Sequence, residues 1–371
     1  MASVRLGFTG DVCLGGQVRD LIALHGPQFP FTGAAPSLCA VDLLIGNLEC
    51  CLIRDTTGSP ARRFMAVPAA YADGLREAGF HAMSLANNHM MDCGVDGLDT
   101  TLKRLGALGI GAFGAGPDLL EAEKPLVLER DGRHFALLAA SGFADSNAGP
   151  RRSGTAPLDR TRLRERVRSA RKLADLVIVA LHADLEFSRY PSPWRVRLSR
   201  WLIDQGAAIV VQHHPHVCQG IEQYGEGLIA YSLGNFLLQV RGNSYLETHA
   251  GTTDSMLWMV DVDFAQSRPR LTWDWQPMDI DESHRPQPCL PERAAVRRRD
   301  LALHSEGLGN SALVRAQWAR RCGAEARASV AHLYYSARRR QWDRFWTTIR
   351  RLVSNPEERR WIRGLLTYGY R

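Results

Sequence analysis

The chain has 371 residues, 45% hydrophobic and 23% charged, with 33 Gly and 18 Pro. These proportions exclude the collagenous, disordered and disulfide-scaffold classes and leave one large domain, or a domain with an appendage, around an ordinary buried core. The formal net charge of +7 conceals an asymmetry: residues 293–371 hold 18 Lys+Arg against 6 Asp+Glu, a formal +12, and the remaining 28 against 33 leave the preceding part at −5.

In chain order, "VRLGFTG", "DLLIGN", "HAMSLAN", "RHFALLAAS", "ADLVIVALHA", "AAIVVQH" and "GLIAYSLGNFLLQ" are short apolar runs of strand type. Helical spacing with Gly near the exits falls between them, in "PAAYADGLREAGF", "GVDGLDTTLKRLGALGI", "DRTRLRERVRSARKLA" and "PSPWRVRLSRWLIDQGA". The alternation predicts an α/β layered sheet with helices on both faces. "DSMLWMVDVDF" and "RLTWDWQPMDI" then alternate like half-exposed antiparallel strands, and after the Pro-rich "SHRPQPCLPERAAV" the pattern is wholly helical. A boundary near residue 290 follows, with domains 1–290 and 291–371.

Eight cysteines occur without a Cys-x-x-Cys pair, and Cys50 and Cys51 are adjacent, which fits a reducing compartment better than a disulfide framework. "MASVRLGFTGDV" enters an apolar strand at once, without the features of a signal peptide, and no later run nears the ~18 to 20 apolar residues that span a bilayer. The expected location is cytoplasmic.

Polar residues collect where the apolar runs stop. Asp11 follows "LGFTG", Asn47 and Glu49 follow "DLLIG", Asn88 and His89 follow "MSLA", His182 follows "VIVAL", and His213, His214 and His216 follow "AIVV". Each has a plainer reading by itself: a helix cap for Asp11, a satisfied core histidine for His182, a surface loop for "HHPH", turn chemistry for Asn87 and Asn88. Taken together they occupy the carboxyl ends of separate strands, where open α/β sheets place their ligand crevice. Carboxylate, imidazole and amide oxygen suit Mn²⁺, Fe²⁺ or Zn²⁺, and no thiolate cage accompanies them. One or two such ions could activate water, with Asn88 a ligand through its amide oxygen and His89 beside it a general acid. Arg62 and Arg63, in the loop after Glu49, are candidates to clamp an anionic substrate.

The motifs "TGDVCLGG", "GNLECCL", "LANNHMMDCGVDGLDTTLKRLGALGI", "HHPHVCQGIE" and "YSLGNFLL", spread over residues 3 to 265, resemble the CapA family. That family is named for a poly-γ-glutamate capsule biosynthesis protein and belongs to the calcineurin-like metallophosphoesterase superfamily. The resemblance implies a two-layer β-sandwich flanked by helices, hence a four-layer α-β-β-α fold, here with a helical C-terminal extension. It implies metal ligands at Asp11, Glu49, Asn88, His182, His214 and His216 and a catalytic His89. The chain departs from the superfamily at Cys13, where the Asp-x-His motif has histidine. The bridging carboxylate falls to Glu49 or Asp42, with Asn47 nearest the motif's first acidic position. "LHADLEF" keeps His182 and Glu186 of the fourth motif but lacks the bulky neighbour of its usual His-Trp-Gly.

The expected function is a metal-dependent hydrolase acting on a phosphoester or related acyl or amide bond of an anionic metabolite in a biosynthetic pathway. Competing with it are a capsule-type factor handling γ-glutamyl or peptide bonds and a non-catalytic scaffold of a synthase complex. In the tail, Trp342, Phe345, Trp346, Ile349, Leu352 and Val353 share one helical face, and a second helix starts near Ser354 or Asn355. Packing of that stripe on the catalytic domain or on a second subunit is the expected outcome, against an anionic membrane surface or an acidic substrate. No nucleic-acid motif accompanies the basic charge, which argues against that partner.

Overall fold

In the computed structural model, which describes residues 3–54, 65–266, 268–354 and 356–368, two β-sheets lie face to face. The chain opens the first sheet with β1 (Val4–Val12), β2 (Leu43–Leu48), β3 (Phe80–Ser84) and β4 (Gly111–Phe113), parallel neighbours in that order. It builds the second with β5 (Leu126–Arg130), β6 (Arg133–Ser141), β7 (Leu176–His182), β8 (Ile209–His213), β9 (Ile221–Tyr224) and β10 (Gly227–Ala230), in the spatial order β9-β10-β8-β7-β6-β5. It then returns to the first with β11 (Asn235–Leu237), parallel to β1, and with β12 (Asp254–Asp263), β13 (Arg270–Ile280) and β14 (Pro286–Pro288), which extend the far side of β1 antiparallel.

Alternation along each strand decides what lies between the sheets. Phe8 and Ile45 of the first sheet meet Leu137, Ile178 and Val211 of the second in one core that also encloses Trp258. Burial of each such side chain stabilises by roughly 1.5–3 kcal/mol relative to exposure. The opposite face of the first sheet packs on α1 (Gln17–His25) and α2 (Gly94–Ala107). On the second, Val177, Val179 and Val210 point outward onto α3 (Arg160–Ala170) and α4 (Pro193–Gln205). The layers are therefore α-β-β-α, as the motif resemblance implies. The periodicity reading of helices on both faces of one sheet is corrected: each sheet is covered by helices on one face and by the other sheet on the second.

The run "GLIAYSLGNFLLQ" is likewise not one strand. It divides into β10 of the second sheet and β11 of the first, and Gly234, at φ 72, turns the chain between them. Gly10 of β1 lies so near the Gly234 carbonyl that a side chain there would collide with it. This close approach brings the ends of β1 and β11 together beneath the candidate site.

Beyond Pro291 the described chain is helical: α5 (Pro291–Gly307), α6 (Ser311–Arg338), α7 (Trp342–Ser354) and α8 (Pro356–Tyr368). Arg297 forks onto the buried Asp254 carboxylate, Arg293 reaches Asp279 at 2.7 Å, and the Ile221 N–H donates to Ser305 Oγ at 3.0 Å. Trp318, Cys322 and Trp361 pack with Leu185 in a separate apolar cluster. The α7 stripe does not pack along its whole width on the rest of its own chain: Trp342, Trp346 and Val353 are 52%, 62% and 68% exposed. The helix instead turns Thr348 inward, with Phe345, Ile349 and Leu352 partly covered, so its apolar arc is wider than the surface it meets. Asn355 lies outside the described residues.

Candidate metal centre

The ends of β1, β2, β7 and β8 converge. Asp11 is the penultimate residue of β1, Glu49 follows β2, His182 ends β7, and His214 and His216 follow β8. These five side chains are buried, and they supply two overlapping groups whose ligating atoms lie within 4.8 Å of one another: Asp11, Glu49 and His216, and Glu49, His182 and His214. Glu49 belongs to both and so sits between them, with Oε1 3.4 Å from His182 Nε2 and 4.0 Å from His216 Nε2. Asn88 joins through its amide oxygen, 2.8 Å from His182 Nε2. His89 lies beside Asn88 with Nδ1 2.9 Å from Asp92 Oδ2.

Burial makes this arrangement costly without a cation. Both Glu49 carboxylate oxygens and His214 Nδ1 are enclosed and have no hydrogen-bond partner among the described residues. A buried carboxylate whose oxygens accept no hydrogen bond is costly, on the order of 1–3 kcal/mol or more. Burial, then the neighbouring Glu49, pushes the Asp11 carboxyl up to about 7. His182 and His214 are held well below the usual histidine value, by burial first and by neighbouring imidazoles second, which leaves them neutral and able to coordinate. For His216 burial acts in the same direction, but Glu49, Glu186 and Asp11 outweigh it and raise the ring to about 9. A divalent cation would relieve the repulsion between carboxylates and satisfy the unpaired atoms together. The oxygen and imidazole donor set fits such an ion.

The supporting residues are amides and a strained backbone. Asn47 donates to Asp11 Oδ1 at 2.8 Å, Asn87 donates to the Leu48 carbonyl at 2.8 Å, and Asn235 Oδ1 lies 2.7 Å from His216 Nδ1, which leaves His216 Nε2 toward Glu49 and Glu186 at 4.0 and 3.9 Å, with Asp11 Oδ2 on the Nδ1 side at 3.6 Å. Such partners fix the orientation of a ligating ring. His214 and His216 adopt φ 98 and φ 57, left-handed values that cost a non-glycine residue on the order of 1–3 kcal/mol and that gather at functional sites. Asp184 and Phe187 do the same at φ 92 and φ 59 and so turn Glu186 inward, where it forms a third group with His214 and His216. Glu186 stands out in the sequence only as a motif survivor, and its inward turn has no signature in residue type. The repeated Gly-Asn at 46–47 and 234–235, each at a strand end, is the readable sign of the two supporting amides.

Asp42 and the cysteines depart from expectation, and Cys13 and His213 stand outside the metal groups among the described residues. Asp42 stands at the start of β2, accepting the Arg5 N–H at 2.8 Å, so the position between the two groups falls to Glu49. Cys13 belongs to none of the metal groups among the described residues; Gly15 N–H and Met65 lie against its sulfur. His213 belongs to none of the metal groups among the described residues, and its Nε2 lies 3.1 Å from the Thr9 carbonyl of the facing sheet. Cys51 and Cys93 form a disulfide that ties the segment after Glu49 to the segment after His89, so the cysteines are not all free thiols. Arg62 and Arg63 lie outside the described residues.

Residues 5–240 match the family model described as bacterial capsule synthesis protein PGA_cap. The capsule biosynthesis protein CapA of Bacillus anthracis is 30% identical over 243 residues, 62% of this chain and 58% of that protein. The PGA biosynthesis protein CapA of Bacillus subtilis (strain 168) is 31% identical over 238 residues, 62% of this chain and 62% of that protein. The chain thus spans less than two thirds of the length of either relative. Among solved structures, a hypothetical protein from Thermus thermophilus aligns at TM-score 0.44 and 17% identity over 74% of this chain and 99% of that one.

Proposed function

The chain belongs to the bacterial capsule synthesis protein family PGA_cap, and from that premise we propose that it is a metal-dependent hydrolase of a phosphoester, or a related acyl or amide bond, in an anionic biosynthetic metabolite. The observation that carries this reading is Glu49, buried between two groups of ligating side chains with neither oxygen hydrogen-bonded among the described residues. Asp11, Glu49 and His216 would hold one divalent ion, and Glu49, Asn88, His182 and His214 a second. When bound, such ions polarise a scissile bond and acidify water.

The chain's own groups then set where protons go. Asp92 engages His89 Nδ1 and leaves Nε2 to hold the transferable proton. Burial works against the charged ring of His89, but Asp92 and Glu49 outweigh it and raise its pKa above the usual histidine value. A protonated imidazole beside the ligand amide of Asn88 is a general acid for a leaving oxygen or nitrogen. Asn47 holds Asp11, and Asn235 holds His216, so the ligand rings and carboxylates keep their aim as substrate arrives.

A second reading has a specific observation behind it: both curated relatives above carry capsule or PGA biosynthesis in their names, which favours a peptide-type γ-glutamyl bond within the same reaction class. The test uses the metal-loaded chain against alkyl and nitrophenyl phosphoesters and γ-glutamyl amides, with His89→Asn alongside. His89→Asn is expected to keep its metal, to lose about 10² to 10⁴ in turnover of an alkyl ester, and to lose little with nitrophenol as leaving group. Undiminished alkyl-ester turnover would sink the assignment of His89. No turnover of any compound by the metal-loaded chain would favour a scaffold.

A further inference from the structure

The loop between β7 and α4 carries Glu186, and it is pinned on both flanks. On one, the Phe187 N–H donates to the Pro215 carbonyl at 2.8 Å, within the His-His-Pro-His segment, and the Phe187 ring stacks on His249 at 3.7 Å and 12°. On the other, Leu185 packs with Trp318, Cys322 and Trp361 of the helical extension, and Arg321 of α6 donates from Nε to the Glu186 carbonyl at 2.7 Å. Arg321 and Cys322 follow Trp318 by three and four residues, the spacing that places all three on one helical face. Glu325, a turn further on, steadies the Arg321 guanidinium at 3.0 Å.

The Glu186 side chain is held as closely as its backbone. Oε1 faces His216 Nε2 at 3.9 Å, while Oε2 accepts the Tyr245 hydroxyl. Tyr245 sets its ring edge-on to Phe187 at 5.3 Å and its carbonyl 2.9 Å from His249 Nδ1, so the hydroxyl, the ring stack and the loop form one unit. Left-handed Asp184 and Phe187 bracket Glu186, and such backbone persists only where the surroundings over-determine it. Packing alone would not require that a carboxylate be aimed at His214 and His216. Those two histidines belong to different ligand groups, so Glu186 stands against both.

We propose that Tyr245 and Arg321 are positioning residues of the metal centre and act through Glu186. Arg321 fixes the Glu186 backbone and Tyr245 holds Oε2, so that Oε1 stays turned to His214 and His216 and completes their ligand set. Both residues lie beyond the family match of residues 5–240, and Arg321 gives the helical extension a part in the chemistry without touching the reacting atoms. The inference rests on the reading of the strand ends as a metal centre.

The test is calorimetric titration of the full chain with Mn²⁺, which needs no substrate. Tyr245→Phe keeps the ring against Phe187 and removes only the hydroxyl, so its melting temperature without metal should match the parent. It is expected to weaken Mn²⁺ binding about tenfold, the lower end of what a partner behind a ligand contributes. Arg321→Met should do the same, whereas Arg320→Met, which removes an equal charge from the exposed neighbour, should change nothing. Glu186→Gln should itself weaken binding about tenfold or more. In that background neither Tyr245→Phe nor Arg321→Met should weaken it further, because residues that act through one group are not additive. This dependence separates positioning from a general loosening of the fold. Parent-like Mn²⁺ binding by Tyr245→Phe, or an equal loss from it in the Glu186→Gln chain, overturns the proposal. A parent that takes up no Mn²⁺ would defeat the metal centre itself, and the proposal with it.

Discussion

At the strand ends of the sandwich Asp11, Glu49, His182, His214 and His216 are each 5% exposed or less, whereas α7 sets Trp342 and Trp346 in solvent at 52% and 62%. Both regions invert the usual distribution of polar and apolar groups. In the first, the inversion is supported from all sides: amides of Asn47 and Asn235 hold the ligands, and His214 and His216 sit in left-handed backbone. In the second, little surrounds the exposed rings. Buried polarity that is over-determined in this way marks a site, while exposed apolar surface without such support marks only an unfilled boundary.

The largest expected effect breaks the buried side of the comparison. Glu49→Gln keeps the shape but removes the charge shared by both ligand groups. Metal content should fall to background, and turnover should fall by about 10⁴ or more, the scale expected when a metal's contribution is lost. A variant that retains stoichiometric metal, measured by mass spectrometry, would remove Glu49 from the centre.

Next in size is the join between the two regions. Asp254, 4% exposed at its side chain, is forked by Arg297 of α5, with Arg189 and Arg293 standing off at 3.9 Å. Arg297→Met leaves those two as partial substitutes, and the loss of stability should be on the order of 3 kcal/mol. Urea unfolding measures it. A loss below about 1 kcal/mol would mean that α5 is held by its apolar contacts at Leu301 rather than by this pair.

A pH series sharpens the account of the metal centre. In the metal-free chain Asp11 lies near 7 and His216 near 9, both above the roughly 3.9 and 6.5 of the unfolded chain. A group whose folded value is raised binds its proton more tightly when folded. Its contribution is therefore complete below the unfolded value and lost as pH climbs through the folded one. With chelator present, the melting temperature should decline between about pH 6.5 and pH 9, because below the unfolded histidine value the lowered His182 and His214 act in the opposite sense and gain stability as pH rises. Saturating Mn²⁺ should reverse the trend over the same range, since ligands must shed protons to coordinate. A chelated chain that gains stability toward pH 9 contradicts the proposed charge arrangement.

How much of this was legible in sequence follows from what each feature depends on. Asp11, Glu49, His182, His214 and His216 end apolar runs, so their clustering needed only the rule that strand ends share one edge of a sheet. The sandwich itself came from motif resemblance, because single-strand periodicity does not say whether the second buried face meets helices or another sheet. The crossing at Gly234 was hidden inside an unbroken apolar run, and only a left-handed φ reveals it. Glu186 reaches inward through Asp184 and Phe187, whose backbone angles have no sequence signal. The Cys51–Cys93 bond joins residues 42 apart and depends on where two segments after strand ends happen to meet. In the tail, helical spacing located the apolar arc correctly but carried no information on how wide a surface awaited it.

The smallest expected effect probes that last point. Trp361 and Trp346 lie on successive helices of the same extension, yet Trp361 is 3% exposed within the cluster of Trp318 and Cys322, and Trp346 is 62% exposed. Trp361→Ala should cost about 3–5 kcal/mol, the usual result of opening a large cavity in packed surroundings. Trp346→Glu should change stability by no more than about 0.5 kcal/mol, because a surface substitution away from buried networks removes few contacts. Its metal content should match the parent, since the strand ends do not include it. A destabilisation above about 2 kcal/mol, vanishing on dilution to concentrations where subunits separate, would mean that Trp346 is covered by a second copy in solution. The exposed arc of α7 would then be an interface between copies of the chain, and the contrast between the two regions would narrow to the strand ends alone.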